Sequence, residues 1–276
     1  MAELPGLRLA LATFTVFPAR PARVSRRIAA ASMAWCPLVG AALAGVASAL
    51  LVGARLIYTG PTFYLKGVHV QVFEAPLLAS ALAIFLLALL TRGLHLDGLA
   101  DTVDGLASQL PAEDALTIMS AGPVGALGAA AMMGCLVIEV VALSACVLAH
   151  HGTQSLVFAV VSGRLAMLWS CTRGIPAARK SGMGALVAGS VKRRLAWLWT
   201  IVVVAGAAAY GRYDSEVGSI AGAYRGIAAV LIALSVAWMV RRHIVRRLGG
   251  ITGDVLGALC EIATVTSLLI TAIGPK

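Results

Sequence analysis

The sequence is short of charged residues, and acidic residues are the scarcest among them. Charged residues make up 12% of the chain and hydrophobic residues 60%, whereas soluble domains average roughly 25% and 45–50%. This shortage of charge excludes an ordinary soluble domain and indicates an integral membrane protein. For 276 residues we expect a single membrane-embedded domain over residues 1–276.

Closely spaced cysteine pairs are also missing. The five cysteines lie in or beside apolar runs, with no Cys-x-x-Cys spacing. This pattern excludes a zinc site or a disulfide framework and is typical of small buried hydrophobic residues. The net charge of +10 would suit nucleic acid, but no aromatic-rich basic surface accompanies it. We therefore expect no nucleic-acid partner.

Long apolar runs fill most of the sequence. A transmembrane helix needs about 20 mainly apolar residues, so the runs predict an all-α polytopic bundle with about seven spans in the lipid bilayer. Residues 7–17 are too short to span and predict an interfacial or re-entrant segment, and residues 55–72 predict a mixed loop. The predicted spans are residues 30–54, 73–91, 123–149, 154–172, 195–210, 226–240 and 255–273.

Lysine and arginine are unevenly distributed among the loops. Together, residues 1–28, 92–121, 173–194 and 241–254 hold 16 of the 22 lysines and arginines, and the alternate loops hold five. Because basic loops stay in the cytoplasm, this bias predicts a protein of the cytoplasmic (inner) membrane with those four segments facing the cytoplasm. The oligomeric state stays open, with a homo-oligomer among the alternatives.

Three of the 12 acidic residues follow an apolar run directly: Asp97, Asp101 and Asp104. On a helix, spacings of four and seven place their carboxylates within roughly 60° of one another. Like charges on one face repel, and a row of hard oxygen ligands suits Mg²⁺. The pattern therefore predicts a magnesium site, and the alternative is a solvated group of acids at a membrane edge. Gly98 and Gly105 would each cost about 1 kcal/mol in a helix interior, which predicts that the backbone there passes close to another group.

A second polar segment opens the last predicted span. Thr252 can cap the helix start, and the glycines around it, including Gly250 and Gly253, would expose backbone N–H groups to an anion. Asp254 and Glu261 share a helix face, with Glu261 inside the apolar span, where a carboxylate costs about 2–3 kcal/mol. The alternatives are a plain loop for the glycines and a purely structural pair of Glu261 with Arg164.

His95 and the basic residues are open to two interpretations. His95 lies on the helix face opposite Asp97 unless the helix begins later, and it would serve as a proton carrier or a metal ligand. Arg164 inside the membrane, with Arg179 and its basic neighbours in the loop, would hold a phosphate. For the loop residues, the alternative is that they only follow the positive-inside rule.

Five sets of residues, spread over essentially the whole chain, share the motifs of one family. They are residues 14–18, 35–40, 94–105, Arg164 with 181–184, and 249–254 with Glu261. The chain resembles the cobalamin synthase family, the adenosylcobinamide-GDP ribazoletransferases. It departs from the family pattern at residues 118–125, which are uncharged here, whereas the family commonly has a charged residue or two.

The resemblance implies a transferase that uses Mg²⁺. The ribose hydroxyl of α-ribazole, or of its 5′-phosphate, would attack the phosphorus of adenosylcobinamide-GDP next to the cobinamide arm, and GMP would leave. We predict the Mg²⁺ ligands to be Asp97, Asp101 and Asp104. Asp254 is predicted to be the base or a second metal ligand, with His95 or Glu261 as the alternative base. Predicted substrate contacts are Gly98, Gly105, Gly250, Thr252, Gly253 and Arg164.

Two other functions compete with this one. The acidic motif has a weak likeness to the paired aspartates of membrane CDP-alcohol phosphotransferases, which would make the substrate a different nucleotide-linked alcohol. A transporter would use carboxylates as an ion path, but most acids here fall in predicted cytoplasmic segments rather than within spans.

Overall fold

The structure is a computed structural model. It describes residues 3–19, 24–58, 60, 62–65, 68–71, 75–120, 122–213 and 218–273. Four basic residues used in the orientation argument lie outside the described residues: Arg20, Arg23, Lys66 and Lys276.

These ranges form helices and one short β-hairpin. In chain order they are α1 (Glu3–Phe14), α2 (Arg26–Tyr58), β1 (Thr62–Leu65), β2 (Val68–Gln71), α3 (Pro76–Leu90), α4 (Leu94–Ala107), α5 (Ala112–Ile118), α6 (Ala126–Leu148), α7 (Gly152–Ser170), α8 (Gly182–Val187), α9 (Arg193–Tyr213), α10 (Ile220–Leu248) and α11 (Gly253–Ala272).

The predicted helical membrane bundle is confirmed, but the span count is not. In the described part of the chain, α2, α6, α9, α10 and α11 are long and apolar enough to cross a membrane, and α3 with α4 gives a sixth span if that bent pair counts as one. The predicted fourth span forms helix α7. This helix is less apolar than the others because it carries Arg164 and several polar residues. α7 instead packs inside the bundle against α2 and α11, with nearly every residue buried.

Two other segments differ from the prediction. The hairpin β1–β2 pairs Thr62 with Gln71 in antiparallel register, where a mixed loop was expected. Helix α10 is longer than the predicted span, because its polar and basic end continues the helix until Gly249. Gly249 is in the left-handed conformation (φ 79°), in which glycine commonly ends a helix. All five cysteines are buried and free, as predicted.

A sharp turn between α3 and α4 positions the acidic motif. Arg92 (φ 57°) and Gly93 (φ 67°) are both left-handed, and the Gly93 N–H donates to the Ala88 carbonyl at 2.8 Å. This ends α3 and turns the chain by 85° into α4. As a result α4 lies against the first turns of both α6 and α11.

Helices α4 and α11 cross with almost no space between their backbones. A Cβ atom added at Gly98 of α4 would lie 2.6 Å from the Asp254 carbonyl oxygen of α11. Only glycine allows this approach. Gly98 lowers the intrinsic stability of helix α4, but the packing of α4 against α11 requires it.

We expect Gly98→Ala to destabilise the protein by about 1–3 kcal/mol, the usual cost of overpacking, because α4 must move away from α11. The matched control is Gly45→Ala in α2, where an added Cβ meets nothing within 4 Å. Thermal unfolding in detergent measures both variants. Equal unfolding temperatures for the two would contradict the packing argument.

Candidate active site

The structure brings the acidic motif of α4 and the start of α11 to one place. A Cβ at Gly257 would lie 3.0 Å from the His95 carbonyl oxygen and 3.3 Å from the Gly98 Cα atom. Two segments that are far apart in the sequence therefore form one site, at the end of the bundle where α11 begins.

Asp101 is at the electrostatic centre of this site. Burial opposes its ionisation, and Asp97, Asp254 and Asp104 all repel its carboxylate, while Arg179 attracts it. Arg179 also interacts with Asp254 and donates a hydrogen bond to the Leu116 carbonyl oxygen. Asp97, Asp101 and Asp254 with one guanidinium leave an excess of negative charge. Such a set of oxygen ligands could hold a divalent cation.

Asp104 has a different environment from the other two acids of the motif. Its Oδ2 accepts a hydrogen bond from the Gly125 N–H at 2.7 Å, and its Oδ1 accepts one from the Gly128 N–H at 2.8 Å. A carboxylate is stabilised at a helix N-terminus because it satisfies unpaired N–H groups and faces the positive end of the dipole. Asp104 therefore fastens α4 to the start of α6, a contact that the sequence analysis did not predict.

A cavity of about 150 Å³ adjoins the acids, and its walls are of two kinds. The polar side chains His95, Asp97 and Asp254 line part of it. Phe14, Met167 and Met183 supply its apolar surface. Phe14 and Met183 were not predicted as site residues, although both lie in or next to segments on which the family resemblance was based.

His95 lines this cavity although it is not on the same helix face as Asp97. Helix α4 begins at Leu94, so the later start under which His95 was expected to act does not occur, yet both side chains line one cavity at the first turn of α4. His95 is only 1% exposed, and among the described residues neither of its ring nitrogens has a hydrogen-bond partner. Its ring is nearly parallel to that of Phe14, with centroids 6.3 Å apart.

Residues 249–254 form a short loop and the first residues of α11. Thr252 is the N-cap of α11, as predicted, and accepts a hydrogen bond from the Val255 N–H at 3.2 Å. A Cβ at Gly250 would overlap the backbone of Ala177, and one at Gly105 would overlap Met119. In the structure these two glycines allow close packing, whereas Gly253 lines the cavity.

Glu261 and Arg164 are not at this cavity. The structure places them deeper in the bundle around an internal space of about 30 Å³ that Glu139 also lines, with ligand atoms of Cys135, Glu139 and Glu261 all within 4.8 Å of one another. Glu261 is about 10 Å along the helix axis from Asp254 by helix geometry. Glu261 and Arg164 therefore share a buried polar space with Glu139, a residue that the sequence analysis did not use.

Comparison with known proteins identifies the family. The family described as cobalamin-5-phosphate synthase matches residues 6–272. The chain belongs to this family. A Frankia casuarinae protein named adenosylcobinamide-GDP ribazoletransferase is 40% identical over 268 residues, covering 96% of this chain and 93% of that protein.

Other members of the family match over similar lengths. Proteins with the same name from Desulforamulus reducens and a Nocardioides species are 31% and 34% identical, covering 98% and 95% of this chain and 97% and 96% of their own lengths. The chain is therefore similar to these transferases from end to end. No solved structure matches it.

We expect Asp101→Asn to raise the unfolding temperature in chelator-containing buffer at neutral pH, since the amide removes repulsion with the neighbouring carboxylates. A gain of about 1 kcal/mol would correspond to about 2–4 °C for a protein of this size. The control is Asp114→Asn, a carboxylate exposed on α5. A fall in unfolding temperature, or the same rise for Asp114→Asn, would contradict the proposed repulsion.

Proposed function

We propose that the protein transfers the adenosylcobinamide-phosphate group of adenosylcobinamide-GDP to α-ribazole or its 5′-phosphate and releases GMP. The names of its relatives support this reaction, because the similarity extends over nearly the full length of both chains. Such a transfer would close the nucleotide loop of cobalamin.

The observation that carries the proposal is the meeting of α4 carboxylates with Asp254 of α11 at one cavity. Phosphoryl transfer needs little covalent chemistry from the protein and depends mainly on positioning and charge neutralisation. Carboxylates and a diphosphate are both negatively charged and repel each other, so they can lie together only with cations between them. The adjacent Arg179 supplies one positive charge.

Mg²⁺ would fit the remaining charge. Asp97 and Asp101 would hold it, because they are oxygen ligands with an uncompensated negative charge, and Mg²⁺ typically binds one or two carboxylates together with substrate phosphates. When bound, it would neutralise the charge of the diphosphate. Asp104 was predicted as a ligand, but with both oxygens bonded to α6 we assign it the role of holding α4 in place.

Asp254 is the best placed base. Its Oδ2 accepts a hydrogen bond from the Thr252 hydroxyl at 3.1 Å, which orients the carboxylate, and it lines the cavity. In the reaction the ribose oxygen would form a bond to phosphorus, the bond between that phosphorus and the GMP oxygen would break, and Asp254 would take the hydroxyl proton. Glu261 is too deep in the bundle for this role.

The site would face the cytoplasm across the cytoplasmic membrane. The loop that contains Arg179 adjoins the site, because the Ala178 N–H donates to the Ile251 carbonyl at 3.0 Å. The basic end of α10 leads directly into the start of α11, which lines the cavity. Because basic loops stay in the cytoplasm, these segments support that orientation.

Replacing Asp101 by Asn should lower the rate of GMP release by about 10²-fold or more, the usual effect of removing one preorganised electrostatic group. The measurement is GMP formation from adenosylcobinamide-GDP and α-ribazole by the purified protein in lipid nanodiscs. Asp114→Asn should keep the wild-type rate. Wild-type turnover by Asp101→Asn would remove that residue from the mechanism.

Removing divalent cations tests the metal separately. A chelator should abolish GMP release, and added Mg²⁺ should restore it. Full activity in the chelator would contradict the magnesium proposal while leaving the transfer reaction intact. Turnover of a CDP-linked alcohol, with none of adenosylcobinamide-GDP, would favour the competing phosphotransferase function.

A further inference from the structure

We infer that the cavity next to the aspartates binds the flat aromatic base of α-ribazole, with the His95 imidazole hydrogen-bonded to the free ring nitrogen of that base. This inference rests on the proposed function and adds to it a binding site for one of the two substrates. It also gives His95 a role in recognition rather than in proton transfer.

The first argument is the condition of His95. Its side chain is 1% exposed, and both ring nitrogens lack a partner within the described structure. Buried polar groups in native proteins are nearly always hydrogen-bonded, because an unpaired one loses its bonds to water without replacement. A neutral imidazole has one donor and one acceptor, and the ring lies at the wall of a cavity. This is the expected state of a group that awaits a ligand.

The second argument is the size of the cavity. Its volume is about 150 Å³, and an apolar cavity of about 150 Å³ in another protein binds benzene. Sites for whole drug-sized ligands are larger, about 300–1,000 Å³. The cavity therefore has room for an aromatic ring system but not for a complete nucleoside, so the sugar of a bound nucleoside must lie outside it.

The third argument is the chemistry of the walls. Phe14, Met167 and Met183 give an apolar lining, and both the phenyl ring and the thioethers make favourable contacts with aromatic rings. Asp97 and Asp254 lie at the same cavity. A base bound against the apolar wall would leave its attached ribose on the side of these carboxylates, where the hydroxyl has to react.

Two flat bases occur in the proposed reaction, the benzimidazole of α-ribazole and the guanine of the GDP group. Guanine presents several N–H donors at its edge, and apart from His95 only Asp97 and Asp254 could accept them, the carboxylates that the proposed reaction needs for the metal and for the attacking hydroxyl. The benzimidazole of a nucleoside has one free ring nitrogen, which accepts one hydrogen bond from His95. The walls therefore favour the α-ribazole base.

The test separates the two substrates. His95→Leu keeps an apolar side chain of similar size but removes both hydrogen-bonding atoms, whereas His95→Gln keeps a donor. In nanodiscs with Mg²⁺, we expect His95→Leu to raise the KM for α-ribazole about tenfold or more and to leave the KM for adenosylcobinamide-GDP unchanged. Calorimetric binding of α-ribazole without the second substrate should weaken by the same factor, and His95→Gln should recover part of the loss.

The control is His243→Leu, because His243 is an exposed residue of α10 outside the site, and it should keep wild-type constants. Phe14→Leu is a second, independent variant that shortens the apolar wall, and it should also weaken α-ribazole binding. If His95→Leu does not fold, the result for Phe14→Leu decides.

Several outcomes would overturn the inference. An unchanged KM and unchanged binding for α-ribazole would mean that the base binds elsewhere. A raised KM for adenosylcobinamide-GDP alone would assign the cavity to guanine, and a lost kcat with both KM values unchanged would make His95 a proton carrier. Absence of GMP release by the wild-type protein would instead contradict the proposed function itself.

Discussion

The site depends on the contact between the backbones of α4 and α11. Gly98 and Gly257 let these helices approach until a single Cβ would collide with main-chain atoms. The approach brings Asp101 of α4 close to Asp254, although Asp97, Asp104 and Asp254 all repel its carboxylate. Close packing therefore maintains a concentration of negative charge that the isolated segments would not keep.

Sequence reasoning predicted the components of the site better than their arrangement. The scarcity of acids made the clustered ones conspicuous, and helical spacing placed Asp97 and Asp101 on one face. The capping role of Thr252 also followed from its position before an apolar run. These properties are local, and local rules of helix geometry and capping are sufficient for them.

Other features required the tertiary structure. Nothing in the sequence says that Asp104 points to the start of α6, because that depends on the 85° turn at Arg92 and Gly93. Similarly, His95 and Asp97 line one cavity only because other elements of the fold pack around the first turn of α4. Predicting α7 as a span from its apolar residues could not show that nearly every residue of this helix is buried inside the protein.

Helix α7 also has a consequence for biosynthesis. Its Arg164 and polar residues make it a poor candidate for independent entry into lipid, and Glu261, which shares the internal space with Arg164, lies near the end of the chain. During synthesis, Glu139 of α6 is made before α7, but Glu261 follows only with α11. The polar cluster around Arg164 is therefore complete only when the last helix has joined the bundle.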